Sequence, residues 1–130
     1  MSGAERGTPS FRFSRKEHLR GRDEIREVFK RGRSLGCGGA KLFLLRNSLD
    51  YNRICFALPR KFGNAVERNR SRRFSREAYR HIRPRLRGGY DAVLLVYPDP
   101  AASLIRTDLA GRAKQLKTLF ARAGLLRESV

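Results

Sequence analysis

The chain has 130 residues, enough for one domain with one modest core and too few for two. Its 30 Lys and Arg residues against 12 Asp and Glu give a formal charge of +18, which predicts a polyanionic partner and favours nucleic acid over an anionic membrane. No apolar run approaches the roughly 18 residues of a membrane-spanning helix, and residues 1–10 lack the apolar segment of a signal peptide. We therefore expect a cytoplasmic protein with no membrane partner.

The N-terminal residues predict a flexible lead-in followed by a helical turn. We expect residues 1–10 to form the lead-in, residues 11–126 a single α/β domain, and residues 127–130 a short C-terminal tail. Ser14 and Glu17 have the Ser-x-x-Glu spacing in which each side chain binds backbone donors at a helix start. This spacing predicts a short first turn or helix.

The segment from Asp23 to Arg31 predicts an amphipathic helix. Its apolar residues Ile25, Val28 and Phe29 are spaced i, i+3 and i+4, the pattern of one helical face. Acidic residues in the first turn and basic residues in the last turn complement the helix dipole, and Gly32 follows as a stop signal.

Three segments after this helix predict strands. The glycine-rich segment 33–40 is a weak edge strand that opens into a loop, and Leu42–Leu45 is a short apolar run. Arg53–Leu58 alternates as a strand with one buried face, and Pro59 ends it because proline cannot donate a ladder hydrogen bond. Since turn-forming Asn, Ser and Asp residues separate the last two segments, we expect those segments to pair as antiparallel neighbours.

A long helix is predicted from about Ala65 to Ile82, after Gly63 and Asn64 and before the stop at Pro84. We expect Gly63 to adopt a backbone geometry that other residues cannot reach. The expected buried stripe consists of Val66, Phe74, Ala78 and Ile82. Another face carries an i+4 row made of Arg68, Arg72, Arg76 and Arg80. Unpaired like charges at this spacing each oppose a helix by about 0.2 to 0.5 kcal/mol, which predicts a counter-charge from outside the chain.

The C-terminal part predicts one more strand and one more helix. The strand is Asp91–Tyr97, and the helix begins near Ser103 or Thr107 and ends at Gly124. The apolar face of this helix is expected to contain Leu109, Ala113, Leu116 and Phe120. The resulting order of helix, two or three strands, helix, strand and helix is typical of an α+β fold, in which we expect the helices to cover one face of the sheet.

The junction of the second predicted strand and the long helix carries a resemblance to a known family. From Arg60 to Arg87 the chain has eleven Lys and Arg residues and two acids, Glu67 and Glu77. Within this segment, Lys-Phe-Gly-Asn-Ala-Val-x-Arg-Asn-Arg begins at Lys61 and resembles the bacterial ribonuclease P protein component. The Arg-Asn-Arg triplet alone would be weak support, but the whole motif between a strand and a helix is specific. Looser similarity extends through residues 22–32, 42–58 and 89–96.

The resemblance implies both a fold and a function. The fold is a two-layer α/β sandwich of the ribosomal protein S5 domain 2-like type, in the order α-β-β-β-α-β-α, with a left-handed crossover around the central helix. The function is that of the protein subunit of a ribonucleoprotein that removes 5′ leaders from precursor tRNA. Its partners are ribonuclease P RNA and precursor tRNA, the RNA performs the hydrolysis with Mg²⁺, and no protein oligomer is expected.

The resemblance also implies two groups of binding residues. The residues expected to contact the catalytic RNA are Arg60, Lys61, Asn64, Arg68, Asn69, Arg70, Arg72, Arg73 and Arg76. A cleft between the first long helix and the sheet is expected to hold the leader, with Phe11, Phe13, Phe29 and Phe43 as its aromatic residues. Arginine offers planar forks of donors to phosphates, and aromatic rings stack on unpaired bases. Asn69 could contact RNA or stabilise its own helix, and Phe29 could stack on a base or only pack the core.

No protein active site is recognisable in the sequence. His18 and His81 are isolated, and no carboxylate cluster has the spacing of a metal site. Cys37 and Cys55 lie far apart without a partner at ligand spacing, so we expect reduced thiols and no zinc. The alternative function is a non-catalytic basic RNA-binding module of the ribosomal or RNA-chaperone type.

Overall fold

A computed structural model of the chain describes residues 14–97 and 108–127. The elements in chain order are a 3₁₀ turn at Arg15–Glu17, α1 at Arg22–Arg31, β1 at Arg33–Cys37, β2 at Ala40–Arg46, β3 at Arg53–Ala57, α2 at Ala65–Ile82, a 3₁₀ turn at Arg83–Arg85, β4 at Tyr90–Val96 and α3 at Leu109–Arg122. This is the predicted α-β-β-β-α-β-α order. The predicted lead-in, Phe11, Phe13 and the proposed helix starts at Ser103 and Thr107 lie outside the described residues.

The four strands form one sheet in the order β1-β2-β4-β3. Phe43 of β2 and Cys55 of β3 both lie opposite Val93 of β4, the first in antiparallel and the second in parallel register. The predicted pairing of β2 with β3 is therefore wrong, because β4 lies between them. β4 is apolar and buried on both faces, and such a strand is stable only in the centre of a sheet. α2 connects the parallel strands β3 and β4, and this connection is the crossover that the resemblance implies.

The turn between β2 and β3 is bound to the start of β4. The Asn47 side chain donates to Asp91 Oδ1 at 2.8 Å, and its backbone N–H donates to the Gly89 carbonyl. The Asn52 side chain accepts from the Tyr90 N–H at 2.8 Å and donates to the Arg87 carbonyl at 2.8 Å. The polar turn residues thus connect the turn to β4 instead of closing a hairpin.

The sheet has an apolar core on each face. One core packs Leu42 and Leu94 of the sheet against α2 and α3, with Tyr79 and Phe120 at its centre. The second core lies on the opposite face, where Val28 of α1 packs with Val93 and Leu19. The expectation that all helices cover one face holds for α2 and α3 but is wrong for α1, because alternate residues of β2 and β4 are apolar on both sides.

The buried faces of α2 and α3 differ from the predicted apolar stripes. Val66 of α2 is 74% exposed, and Leu109 and Ala113 of α3 are exposed as well. The residues that α2 buries are Ser71, Ser75, Ala78, Tyr79 and Ile82. The residues that α3 buries are Arg112, Leu116, Leu119 and Phe120. Each predicted stripe is correct for its C-terminal residues, which pack in the apolar core. It is wrong at Val66, Leu109 and Ala113, which are exposed.

A buried arginine explains this difference. Arg112 is 2% exposed, and its Nη1 donates to the Ser71 carbonyl at 2.9 Å and to Ser75 Oγ at 2.7 Å. Its Nε donates to Gln115 Oε1 at 3.0 Å. Burial lowers the pKa of Arg112 to about 10, so the guanidinium remains charged at neutral pH. Because buried charge requires hydrogen-bond partners, Ser75 faces α3 with its hydroxyl in place of an apolar side chain, while Ser71 contributes its backbone carbonyl.

Gly32 allows the end of α1 to lie directly against β2. A Cβ atom at Gly32 would lie 2.5 Å from the Val28 carbonyl oxygen and 2.6 Å from the Leu44 carbonyl oxygen, and neither backbone atom can move away cheaply. We expect Gly32→Ala to destabilise the fold by about 2 kcal/mol, as other overpacking substitutions do. Gly36→Ala is the matched control, because its nearest neighbour would be 3.9 Å away. Thermal unfolding by circular dichroism checks this, and equal melting temperatures would contradict it.

Candidate nucleic-acid interface

α2 begins with a reciprocal cap. Asn64 Oδ1 accepts from the Glu67 N–H at 2.8 Å, and Glu67 Oε1 accepts from the Asn64 N–H at 3.0 Å. The expectation of an unusual backbone at Gly63 is wrong, since its φ is not positive. A Cβ atom there would lie 2.4 Å from Glu67 Oε1. Gly63 therefore leaves room for the capping carboxylate.

Arg68 connects α2 to the loop that follows β3. Its side chain is half-buried, and Nη1 donates to the Pro59 carbonyl at 2.7 Å and to the Arg60 carbonyl at 3.3 Å. The guanidinium thus holds the β3–α2 loop against the helix. Arg60 and Lys61 of this loop are exposed.

The outward face of α2 carries Asn69, Arg70 and Arg73, all of them exposed. Their spacing of one and three residues places them on one side of the helix, opposite the buried serines. The Arg70 guanidinium lies 5.4 Å from the ring centroid of Phe74, close enough for a cation–π contact. These groups are directed away from the core and are available to a ligand.

A second row of arginines on α2 borders the edge strand β3. Burial raises the pKa of the Cys55 thiol in β3, and the charge of Arg72 opposes that rise. Burial lowers the pKa of His18, which pairs with β3, and the charges of Arg20 and Arg76 lower it further. The charges of Arg72 and Arg76 thus act on Cys55 of β3 and on His18 beside it, so these two arginines lie on the β3 side of α2.

The carboxylates of α2 do not neutralise these arginines. Glu67 is used in the helix cap, and Glu77 pairs with Arg80 at 2.8 Å and with His81 at 3.7 Å. Arg80, predicted as part of an unpaired row, thus has an internal partner. Within the described ranges, five of the six arginines of α2 form no ion pair. Arg68 donates only to backbone carbonyls, and the other four are Arg70, Arg72, Arg73 and Arg76. The structure thus concentrates uncompensated charge on the outward face and on the β3 side of α2.

An aromatic pair lies on the other face of the sheet, beside α1. The ring centroids of Phe29 and Phe43 are 4.8 Å apart in an edge-to-face arrangement. Phe29 is 41% exposed, Phe43 is half-buried, and the Lys41 ammonium lies 5.9 Å from the Phe43 centroid. The structure therefore brings Phe29 and Phe43 together at an accessible surface that has a cation beside it.

An ion-pair network, which sequence reasoning did not identify, lies between α1 and the sheet. Arg53 binds Asp91 through two hydrogen bonds of 2.8 and 2.7 Å and also contacts Glu24 of α1 at 3.3 Å. Hydrogen bonding to Asp91 raises the pKa of Arg53. The network joins α1 to β3 and β4. The sequence offered one signal, the acidic residue Asp91 at the start of an apolar strand. Its pairing with Arg53 depends on the parallel register of β3 and β4.

Two absences hold for the part of the chain that the structure describes. No group of three or more His, Cys, Asp or Glu side chains there could hold a metal ion. None of the described helices has both the length and the apolar character needed to cross a membrane.

Comparison with known proteins shows the family of the chain. The sequence profile of the ribonuclease P family matches residues 13–124. The ribonuclease P protein component of Natranaerobius thermophilus is 44% identical over 72 residues, which are 55% of this chain and 63% of that relative. The component of Thermotoga maritima is 32% identical over 110 residues, which are 85% of this chain and 94% of that relative.

Solved structures show the same fold. The ribonuclease P protein of Thermotoga maritima, in complex with 1-(4-fluorophenyl)-2-thiourea, has a TM-score of 0.74 at 30% identity and covers 81% of this chain and 98% of its own. The Staphylococcus aureus protein has a TM-score of 0.73 at 19% identity, over 85% of this chain and 98% of its own, and supports the fold alone. The chain therefore belongs to the ribonuclease P protein family, the protein components of the endoribonuclease that processes the 5′ ends of tRNA.

Proposed function

We propose that the arginine-rich sides of α2 bind the RNA subunit of ribonuclease P and that the aromatic surface beside α1 binds the leader of precursor tRNA. The observation that carries this proposal is the set of α2 arginines without a carboxylate partner in the described residues. The RNA contacts are assigned to Arg60, Lys61, Asn64, Arg68, Asn69, Arg70, Arg72, Arg73 and Arg76. The leader contacts are assigned to Phe29 and Phe43, with Phe11 and Phe13 added from outside the described residues.

The arginine face suits a folded RNA because it presents many forked donors on a rigid support. Each guanidinium can bind two phosphate oxygens, and the helix fixes the distances between them. Arg68 and Asn64 also stabilise the start of α2, so they contribute to the interface partly by holding its shape. Asn69 makes no side-chain hydrogen bond to another described residue, which favours an RNA contact over the alternative of a local helix stabiliser.

The aromatic surface suits a single strand because stacking does not depend on base identity. An exposed ring contributes about 1 to 3 kcal/mol per stacked base, and an adjacent cation attracts the backbone. Phe29 offers the exposed ring and Lys41 the cation. The charge of Arg72 acts on Cys55, which packs against the same core as Phe43, so a precursor held at the aromatic surface would remain close to the RNA subunit.

The chemistry in this proposal belongs to the complex, in the cytoplasm. The RNA subunit holds the Mg²⁺ that assists hydrolysis, and the protein positions the precursor. Its cations reduce the repulsion between the phosphates of the two RNAs, so the protein should matter most when Mg²⁺ is scarce.

Reconstitution tests the proposal directly. The purified chain is added to ribonuclease P RNA from the same organism at low Mg²⁺, and removal of the leader from precursor tRNA is measured. We expect a large gain in cleavage and in precursor affinity. Binding to the RNA without either gain would contradict the proposal and would fit the alternative of a non-catalytic RNA-binding module.

Phe29→Leu tests the leader surface. Leucine keeps an apolar side chain against Phe43 but removes the aromatic ring, so we expect about fivefold weaker binding of precursor tRNA to the reconstituted complex. Phe29→Tyr keeps the ring and should bind like the original chain. Affinity for mature tRNA, which lacks the leader, should not change. Equal losses for precursor and mature tRNA would show that Phe29 only packs the core.

A further inference from the structure

Val66 is the most exposed large hydrophobic residue in the part of the chain that the structure describes, at 74%, ahead of Phe29 at 41% and Leu109 at 38%. A single exposed apolar residue is ordinary on a protein surface. Its position in the fold is the informative feature, because Val66 lies in the first turn of α2, six and five residues after the exposed cations Arg60 and Lys61 of the preceding loop.

Val66 shares one face of α2 with the residues already assigned to RNA. Val66, Asn69, Arg70 and Arg73 follow the spacing i, i+3, i+4 and i+7, and all four are exposed. The outward face of α2 is therefore not uniformly cationic. It begins with an apolar side chain and continues with an amide and two guanidinium groups.

Folding does not account for valine at this position. A β-branched residue is a weaker helix former than Ala, Lys or Glu, because it loses side-chain freedom against the preceding turn. The usual compensation is burial, and Val66 has little. The predicted role of Val66 in the core stripe of α2 is taken over by Ser71 and Ser75, which face Arg112.

We propose that Val66 makes an apolar contact with the ribose or base edge of ribonuclease P RNA, while Asn69, Arg70 and Arg73 bind its polar groups. This inference rests on the proposed function of α2. RNA is the occupant that the charge favours, since the cations around Val66 would repel a second copy of a chain with a formal charge of +18. Double-stranded RNA presents ribose groups and base edges in a wide, shallow minor groove, which an exposed helix face can reach.

The contact would add affinity that does not depend on salt. Phosphate contacts release counterions, so each one steepens the fall of affinity with salt concentration. An apolar contact releases none. Loss of Val66 should therefore weaken binding equally at every salt concentration, whereas loss of Arg70 should weaken binding most at low salt.

Val66→Ser tests the inference in the full-length chain. We expect about fivefold weaker binding to ribonuclease P RNA at each salt concentration, an unchanged salt slope and an unchanged melting temperature. Leu109→Ser is the matched control, because Leu109 is an exposed apolar residue in the first turn of another helix and should leave the affinity unchanged.

Three results would overturn the inference. If Val66→Ser binds the RNA with unchanged affinity, the proposed apolar contact does not exist. A changed salt slope would show that the substitution acts through phosphate contacts. Sedimentation that detects a dimer of the original chain but not of Val66→Ser would assign the residue to a protein contact instead. If the original chain fails to bind the RNA or to assist cleavage, the proposed function fails first. If it succeeds and Val66→Ser behaves identically, only this inference fails.

Discussion

Replacing Arg70 and Arg73 together with Gln should weaken binding to ribonuclease P RNA by about tenfold or more near physiological salt and reduce the salt slope by about 1.5. Both residues are exposed on the outward face of α2, and neither has a carboxylate partner in the described residues. Two lost phosphate contacts mean about two fewer counterions released on binding. Filter binding across a salt series measures both quantities.

The control for this experiment removes the same charge elsewhere. Arg26 and Arg31 lie on α1, where they pair with Asp23 at 3.6 Å and with Glu27 at 3.3 Å. Replacing both with Gln lowers the net charge equally but removes no assigned RNA contact, so the salt slope should change little. Equal effects of the two double variants would show that RNA responds only to total charge and that α2 has no special role.

Glu17→Gln should destabilise the fold by about 2 kcal/mol and lower the melting temperature by about 8 °C. Glu17 is buried in the N-terminal turn, and its carboxylate accepts from Arg83 Nη2 at 2.8 Å and from Ser14 Oγ at 3.1 Å. The ion pair joins the residues before α1 to the end of α2. Removing the negative charge leaves the Arg83 guanidinium without the ion pair that offsets its partial burial.

The same ion pair predicts a pH dependence. Burial opposes ionisation of Glu17, but the hydrogen bonds and charge of Arg83, together with Ser14, outweigh it and hold the pKa below the ordinary value of 4.5. The folded state therefore binds the proton more weakly than the unfolded state. The stabilisation is complete above the unfolded pKa and is lost as pH falls through the folded pKa. The stability difference between the original chain and Glu17→Gln should thus be full at pH 7 and disappear in acid.

Urea unfolding at several pH values measures this difference. Glu27→Gln is the control, since Glu27 forms an exposed pair with Arg31 and should change the free energy of unfolding by less than about 0.5 kcal/mol at any pH. If the difference in the free energy of unfolding between the original chain and Glu17→Gln is the same at every pH, Glu17 stabilises the fold through its packing and not through its charge.

The helices were predictable where the signals that define them are local. The bounds of α2 agree with the prediction at both ends, because the Asn64 cap precedes Ala65 and Pro84 follows Ile82 within two residues. The face that α2 buries was not predictable in the same way. It depends on Arg112, a residue of α3 more than thirty positions away in the chain, whose buried guanidinium binds the Ser75 hydroxyl and the Ser71 carbonyl.

The candidate site was likewise predictable from the sequence only in part. The basic residues of α2 and the aromatic residues Phe29 and Phe43 were named from the sequence, and the structure brings the two rings together. Which arginines of α2 have internal partners was not predictable, because it required knowing that Arg68 binds the Pro59 carbonyl and that Arg80 binds Glu77. The contact of Arg53 with Asp91 followed from the parallel register of β3 and β4 and was missed.

The sequence by itself determined the order of the elements, the bounds of α2 and the concentration of arginine after β3, since each of these depends on neighbouring residues. Only the tertiary structure decided that β4 separates β2 from β3, that α1 covers the opposite face of the sheet from α2 and α3, and that Val66 is exposed beside Asn69 and Arg70. The physical reason is that strand order and helix orientation are set by burial between distant segments, and a local pattern shows that a face is apolar without showing which partner will cover it.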